Sequence, residues 1–315
     1  MVKVCDIAYA RLQSPDLDLA EEFLTHFGLV RSARTPRALY MRGSDEPHHI
    51  HVTELGEPRL LGFACEVQDG SDLEKAARLP GASPIEAIDE PGGGRRVRVR
   101  EPNGYQIEIV HGIERLAPIP VERPQVNSGA EPLRRANVLF RPKAGPTPVK
   151  RIAHVVLSSP KVAETLRWFQ DNLGLIASDE VYQGSVEQGS LFGSFCRLDR
   201  GDQFVDHHAM ACLYGETAGL NHISFEVPDI DAVFLDHGYL QGVGKYEHVW
   251  GVGRHFLGSQ VFDYWADPWG RIHEHWADSD RLTAQVPTHK WEVSEGMKVL
   301  WGEHAPEKFN TYVRP

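Results

Sequence analysis

Along this chain, short stretches of apolar–polar alternation give way to three-to-four spacing, and the two rhythms recur in a fixed order. In DIAYARLQSP (residues 6–15) and RIAHVVLSSP (residues 151–160) the alternation predicts strands, and Ile-Ala, Leu and Ser-Pro fall at matching places. An amphipathic helix follows each. Leu17, Ala20, Phe23, Leu24 and Phe27 line one face of the first; Val162, Leu166, Phe169 and Leu173 line the second. A proline near each start and Gly28 or Gly174 after each end are helix boundary signals.

A second pair, LLGFACEV (60–67) and LNHISFEV (220–227), again reads as strands before helices. Ser71 and Glu74 predict a capping box at one of these helices, and residues 229–237 form the other. A third pair, EPNGYQIE (101–108) and DPWGRIHE (267–274), reads as a turn entering a strand. The chain is thus a repeat of four strand–helix–strands units paired into two halves. Residues 117–149 between them carry Pro118, Pro120, Pro124, Pro132, Pro142, Pro146 and Pro148, which marks a linker or irregular crossover. The expected boundaries are 1–116, the linker 117–149, 150–279, and a tail 280–315 of no clear periodicity.

Composition narrows the function classes. A formal charge of −11 over 315 residues argues against binding a phosphate backbone by bulk charge. Cys5, Cys65, Cys196 and Cys212 are scattered without a CxxC pair, which fits a reducing compartment. The start, MVKVCDIAYARL, lacks a signal-peptide core and no apolar run reaches membrane length, so the expected location is cytoplasmic.

The repeat isolates the chemistry. Tyr9 stands where His154 stands, Gly62 where His222 stands, and Glu108 where Glu274 stands. Only the C-terminal half offers two histidines and a carboxylate together, each in a strand-like stretch. Two imidazoles and one carboxylate with open positions are the set expected for a non-haem Fe(II) site that activates oxygen. With 16 histidines in the chain, any one alone is better read as structural. The other half shows that the architecture requires neither of these two. In GRIHEHWAD (270–278), alternation puts His273 and His275 on the face opposite Glu274, with Ile272 and Trp276 on its own side. The spacing is also not that of a helical H-E-x-x-H site.

The stretch GRHFLGSQVFDYWADPWGRIHE (253–274) resembles the extradiol ring-cleavage dioxygenase motif through His255, Tyr264, Asp267, Pro268, Gly270 and Glu274; Asp263 departs from it, where the family has an apolar residue. RIAHVVL and LNHISFEV resemble the family's two ligand-histidine strands, and DHHAMACL (206–213) its His-His-x-x-Ala strand. The resemblance is to the type I extradiol branch of the vicinal oxygen chelate superfamily.

It implies an α+β fold, two similar halves, each of two paired βαβββ modules forming an open, incomplete barrel around a cavity. It implies Fe(II), or Mn(II), at His154, His222 and Glu274. It also implies His208 as acid–base residue, and His255 and Tyr264 as hydrogen-bond partners of the substrate hydroxyls. The implied reaction inserts both atoms of O2 into a catecholic ring beside the diol (meta cleavage), in aromatic compound degradation by a homo-oligomer. The candidate substrates are 2,3-dihydroxybiphenyl, substituted catechols and trihydroxytoluenes.

By alternation His207 faces away from His208, and HHIHV (48–52) is the structural counterpart in the first half. Residues 181–196, with Phe192 and Phe195, and the region of His248 and Trp250 are expected to line the pocket, and the tail to cover its mouth. A glyoxalase-type metal lyase or isomerase and a non-catalytic binding protein of the same superfamily are the alternatives.

Overall fold

In a computed structural model of the chain, residues 1–122, 125–143, 145–307 and 309 are described; Pro124 lies outside them. The first half holds β1 (Val4–Ser14), α1 (Leu17–His26), β2 (Val30–Arg34), β3 (Ala38–Arg42), β4 (His51–Leu55), β5 (Arg59–Val67), α2 (Ser71–Ala76), β6 (Glu86–Ala87), β7 (Arg95–Arg100) and β8 (Gln106–His111). The second holds β9 (Arg151–Ser159), α3 (Val162–Leu173), β10 (Ile176–Gln183), β11 (Ser190–Arg197), β12 (Val205–Asp206), β13 (Met210–Tyr214), β14 (Gly219–Glu226), α4 (Ile230–Val243), β15 (Glu247–His255), β16 (Val261–Ala266) and β17 (Ile272–Ala277). The residues after these add β18 (Arg281–Leu282), β19 (His289–Glu292), α5 (Val293–Gly296) and β20 (Val299–Trp301).

The expected α+β repeat is the observed fold. The first sheet runs β2-β3-β4-β1-β5-β8-β7-β6, and the second repeats that order as β10-β11-β13-β9-β14-β17-β16-β15, flanked by β19 and β20. In both, the first strands of two βαβββ modules pair antiparallel (β1 with β5, β9 with β14), while each module's last strand runs parallel to its first. The two ends of each sheet do not pair, so each is an open trough.

Local chemistry sets the helix ends. The Asp16 side chain caps α1 by accepting from the amides of Asp18 and Leu19, and Asp229 caps α4 through Ala232. Gly174 (φ 69°) ends α3 in the left-handed region. Helix α4 runs past residue 237, through Gly238 and Gly242, to Val243, and ends where Gly244 (φ 66°) turns left-handed. The capping box at Ser71 does not form: Gly70 is the cap, no side chain serves it, and the Ser71 amide donates to Asp69 instead. Nor do His207 and His208 lie within a strand, since they precede β13.

His273 and His275 do face away from Glu274, and the structure shows what they meet. Both are buried against α1 of the first half. The His275 ring stacks on Phe27 at 3.6 Å between centroids, and its Nε2 donates to the Phe27 carbonyl (2.8 Å). His273 Nδ1 donates to the Arg271 carbonyl, which leaves its Nε2 to accept from His51 Nε2 at 3.3 Å. Arg271 reaches across to the Gln13 carbonyl (2.6 Å) and Ser14 Oγ (2.8 Å). The reverse embrace comes from α3, where Phe169 stacks on Phe63 of β5. Two histidines that seemed spare thus join the halves.

Burial, reinforced by His273 and Arg271, pushes the His51 ring well below its usual pKa, so it is neutral when folded. The unfolded chain protonates this ring below about pH 6.5, and unfolding there takes up a proton. Stability from this group is therefore present above that pH and lost as pH falls below it. Urea titrations between pH 7 and 5 will show that loss in the wild type, and a shallower slope in His51→Asn. An equal slope in the variant would refute the assignment.

Candidate metal centre and active site

Three neighbouring strands each carry one residue to the same point inside the second trough. His154 comes from β9, His222 from β14 and Glu274 from β17. Parallel register sets Ser224 opposite Glu274 and antiparallel register sets Ser224 opposite His154, which brings residues far apart in sequence onto one row. His154 Nε2 lies 3.0 Å from Glu274 Oε2, His222 Nε2 lies 3.5 Å from it, and the two ring nitrogens are 3.4 Å apart. These are the separations of donors sharing one ion at roughly 2.0–2.2 Å.

The electrostatics agree. Glu274 is 0% exposed, and neither of its oxygens accepts a well-formed hydrogen bond. Burial alone would raise its pKa, but the imidazoles of His154, His255 and His222 outweigh that and hold it well below the usual carboxylate range. Burial pushes His222 down to about 3, so its ring is neutral and able to ligate. Asn221 Oδ1 accepts from His222 Nδ1 at 2.6 Å, which fixes the tautomer that turns Nε2 inward. A buried, orphaned carboxylate facing two ring nitrogens is a donor set that fits a divalent cation.

The other expected residues surround this triad. His255 Nε2 and Tyr264 Oη are 2.8 Å apart, and His255 lies 3.8 Å from Glu274 Oε1. Burial, with Glu274 nearby, lifts Tyr264 well above its usual pKa and keeps the phenol protonated. The His208 ring sits 4.1 Å from the His154 ring, and burial drives it well below the usual range. His207 turns away, as expected, onto Asp179, although the pair lies outside any strand. With His207 Nε2 donating to Asp179, its Nδ1 accepts from His208 Nδ1 at 3.0 Å, leaving His208 Nε2 free as a proton acceptor. Asp179 and Asn221 escaped the sequence reading. Asp179 lies between Ser178 and Glu180 in β10 and Asn221 beside His222 in β14, and nothing in the spacing of either marks it.

The cavity over the triad has a volume of about 160 Å³ and apolar walls. Phe192, Phe195, Leu213, Trp250 and Leu257 line it, and Met297, Ala305 and Phe309 from the final segment close over it. His248, expected beside Trp250, points to the other face of β15, toward Asp263. Larger clefts of about 400 and 560 Å³ lie in or beside the first half and do not reach the triad.

The corresponding place in the first half is filled differently. Tyr9 Oη donates to Glu108, while Arg11 Nη2 and Gln106 Nε2 reach the same carboxylate at 3.3 and 2.8 Å. Gly62 cannot hold a ligand: a Cβ there would lie 1.7 Å from the Gln106 carbonyl oxygen. His48 and His49 keep the Nδ1–Nδ1 contact of His207 and His208 at 3.0 Å, but His49 faces Tyr9.

No family model matches the chain. It is 30% identical to metapyrocatechase 2 of Cupriavidus necator over 97% of its own length and 91% of that protein. Among solved structures it is similar to the Mn(II)-bound glyoxalase of Novosphingobium aromaticivorans (TM-score 0.78, 21% identity, 98% and 94% of the two chains). It is equally similar to homoprotocatechuate 2,3-dioxygenase of Brevibacterium fuscum in its anaerobic complex with 3,4-dihydroxyphenylacetate (TM-score 0.78, 20% identity, 99% and 93%). At such identities the two structures establish the fold alone; chemistry must come from the closer relative and the site.

Elemental analysis after purification is expected to find one iron or manganese per chain in the wild type and in His273→Ala, and to find that iron or manganese lost from His222→Ala and Glu274→Gln. Metal loss in His273→Ala would contradict the assignment of faces. Tyr9→His is expected to gain no iron or manganese in the first half, since Gly62 leaves that position without a second imidazole.

Proposed function

The chain belongs to the extradiol ring-cleavage dioxygenases, and from that premise we propose that His154, His222 and Glu274 hold its metal, Fe(II) or in its place Mn(II). Its reaction is meta cleavage of a catechol, with both atoms of O2 entering the ring-opened product. Bound at the triad, the metal supplies a Lewis acid that favours the ionised catechol and a redox centre next to dioxygen.

The protein's own groups do the rest. His255 and the protonated Tyr264 share one side of the triad and would hydrogen-bond the substrate's hydroxyl oxygens, fixing which ring edge faces the metal. His208 Nε2, bare because His207 and Asp179 orient the ring, takes a proton and returns it to oxygen during bond cleavage. Apolar walls exclude water from reactive oxygen. The observation that carries this reading is the set of three polar residues around the triad. A binding protein has no use for them, and an isomerase of the glyoxalase type has no phenol to orient.

The cavity volume supports a finer statement. About 160 Å³ is close to the roughly 150 Å³ that admits one benzene ring in a dry protein cavity. A catechol bearing small substituents matches that volume, and Phe309 and Met297, which line the cavity, would limit the space for a second ring such as that of 2,3-dihydroxybiphenyl. The enzyme would act in aromatic catabolism as a homo-oligomer within the cytoplasm.

Oxygen uptake with metal-loaded protein is expected to consume one O2 per catechol. The kcat/KM for catechol and methylcatechols should exceed that for 2,3-dihydroxybiphenyl at least about tenfold, the scale of a steric mismatch in an apolar pocket. The reverse order would overturn the monocyclic assignment. His208→Gln should keep its metal while losing roughly 10²–10⁴ in kcat, the usual worth of a positioned acid–base group.

A further inference from the structure

A second cluster of ligand-type side chains lies on the outer face of β16, behind the residues that face the cavity. His237 from α4, His248 from β15 and Asp263 from β16 bring three donor atoms within 4.8 Å of one another. His237 Nδ1 is 3.2 Å from both Asp263 oxygens, and His248 Nε2 is 2.8 Å from Oδ1. A tetrahedral ion with bonds of about 2.0–2.1 Å separates its donors by roughly 3.3–3.4 Å, so the His237–Asp263 edge already stands near that spacing, while His248 would move out by a few tenths of an ångström.

Three features show that this place is built for a carboxylate. In the first half the register position of Asp263 is held by Val97, which pairs beside Glu108 as Asp263 pairs beside Glu274, so the fold needs no acid there. Asp263 is 0% exposed, and Trp265 Nε1 donates to Oδ2 (2.6 Å), orienting the group and leaving Oδ1 toward His248. Gly251 makes the room, since a Cβ there would stand 2.6 Å from Oδ1. The two imidazoles meet edge to face at 82°, with centroids 4.8 Å apart, and both are partly open to solvent, which gives an ion an entry path and a water as fourth ligand.

We propose that His237, His248 and Asp263 form a second, structural metal site that takes a tetrahedral divalent cation such as Zn(II). The ion would staple α4 to β15 and β16, the strands that carry Trp250, His255 and Tyr264 into the catalytic cavity. It lies across the sheet from the triad and shares no ligand with it, so it fills independently of the reaction metal.

The test uses full-length protein stripped with a chelator and reloaded with Co(II), whose visible bands report coordination number. Glu274→Gln, which lacks the inner site, should retain one Co(II) per chain with the intense bands of a four-coordinate ion. Adding His248→Gln should abolish that uptake, weakening affinity by more than the roughly 10–100-fold that an outer-shell partner supplies. Zn(II) should raise the Tm of Glu274→Gln and leave the double variant unmoved. In the otherwise unaltered protein, the same His248→Gln change should lower the stoichiometry from two metals to one, which covers the case in which Glu274→Gln folds poorly. One metal per chain in the wild type, or uptake indifferent to His248→Gln, would reduce the cluster to a hydrogen-bonded group and overturn the proposal.

Discussion

A carboxylate sealed from water, with no well-formed hydrogen bond to either oxygen, is the constraint on which the second half depends. Taking such a charge out of water is costly by several kcal/mol unless opposite charge meets it. Glu274 sits in that condition because β17 is flanked on both sides by paired strands and covered from behind by the other half. The sheet register, the inward tautomer of His222 and the burial that keeps that ring neutral all converge on one point between three donor atoms. The fold keeps the donors in place, and the cation proposed for them would relieve the electrostatic strain of keeping them there.

The first half answers the same problem with opposite means. Glu108 occupies the equivalent strand position and is as deeply buried, but Tyr9, Arg11 and Gln106 satisfy it directly. Its trough has become an ion-paired cleft in which Arg96 and Glu90 join the network. The contrast separates what the βαβββ pair demands, a buried acid on its last strand, from what the second half adds, two imidazoles. Chemistry here is a matter of which partner the acid is given.

Much of this was legible because the chain is its own comparison. The repeat located the first strand and the helix of each module and the last strand of two of them, and setting Tyr9 against His154 and Gly62 against His222 singled out the triad. Period-two alternation sorted His273, Glu274 and His275 correctly. Features that depend on one contact across the fold were not legible. The reason for His273 and His275 lies in Phe27 and His51, more than 200 residues away. Asp179 acts only through His207, and Ser71 looked like a cap until Asp69 took its amide. Asp263, a mere departure from the family pattern in sequence, gained meaning only when α4 brought His237 beside it.

The clasp between β17 and α1 has a consequence for modularity. Residues 150–279 carry the entire metal triad and each polar residue around it, and so resemble a miniature enzyme with a dispensable companion. Yet the back of its ligand strand is finished by Phe27 and His51, and the turn leading into that strand is tied down through Arg271 to Gln13 and Ser14. Cut free, this half would expose two imidazoles, the guanidinium of Arg271 and the aromatic floor beneath Glu274. The silent half is therefore the outer wall of the working one, and the duplication cannot be undone by deletion without unroofing the catalytic strand from below.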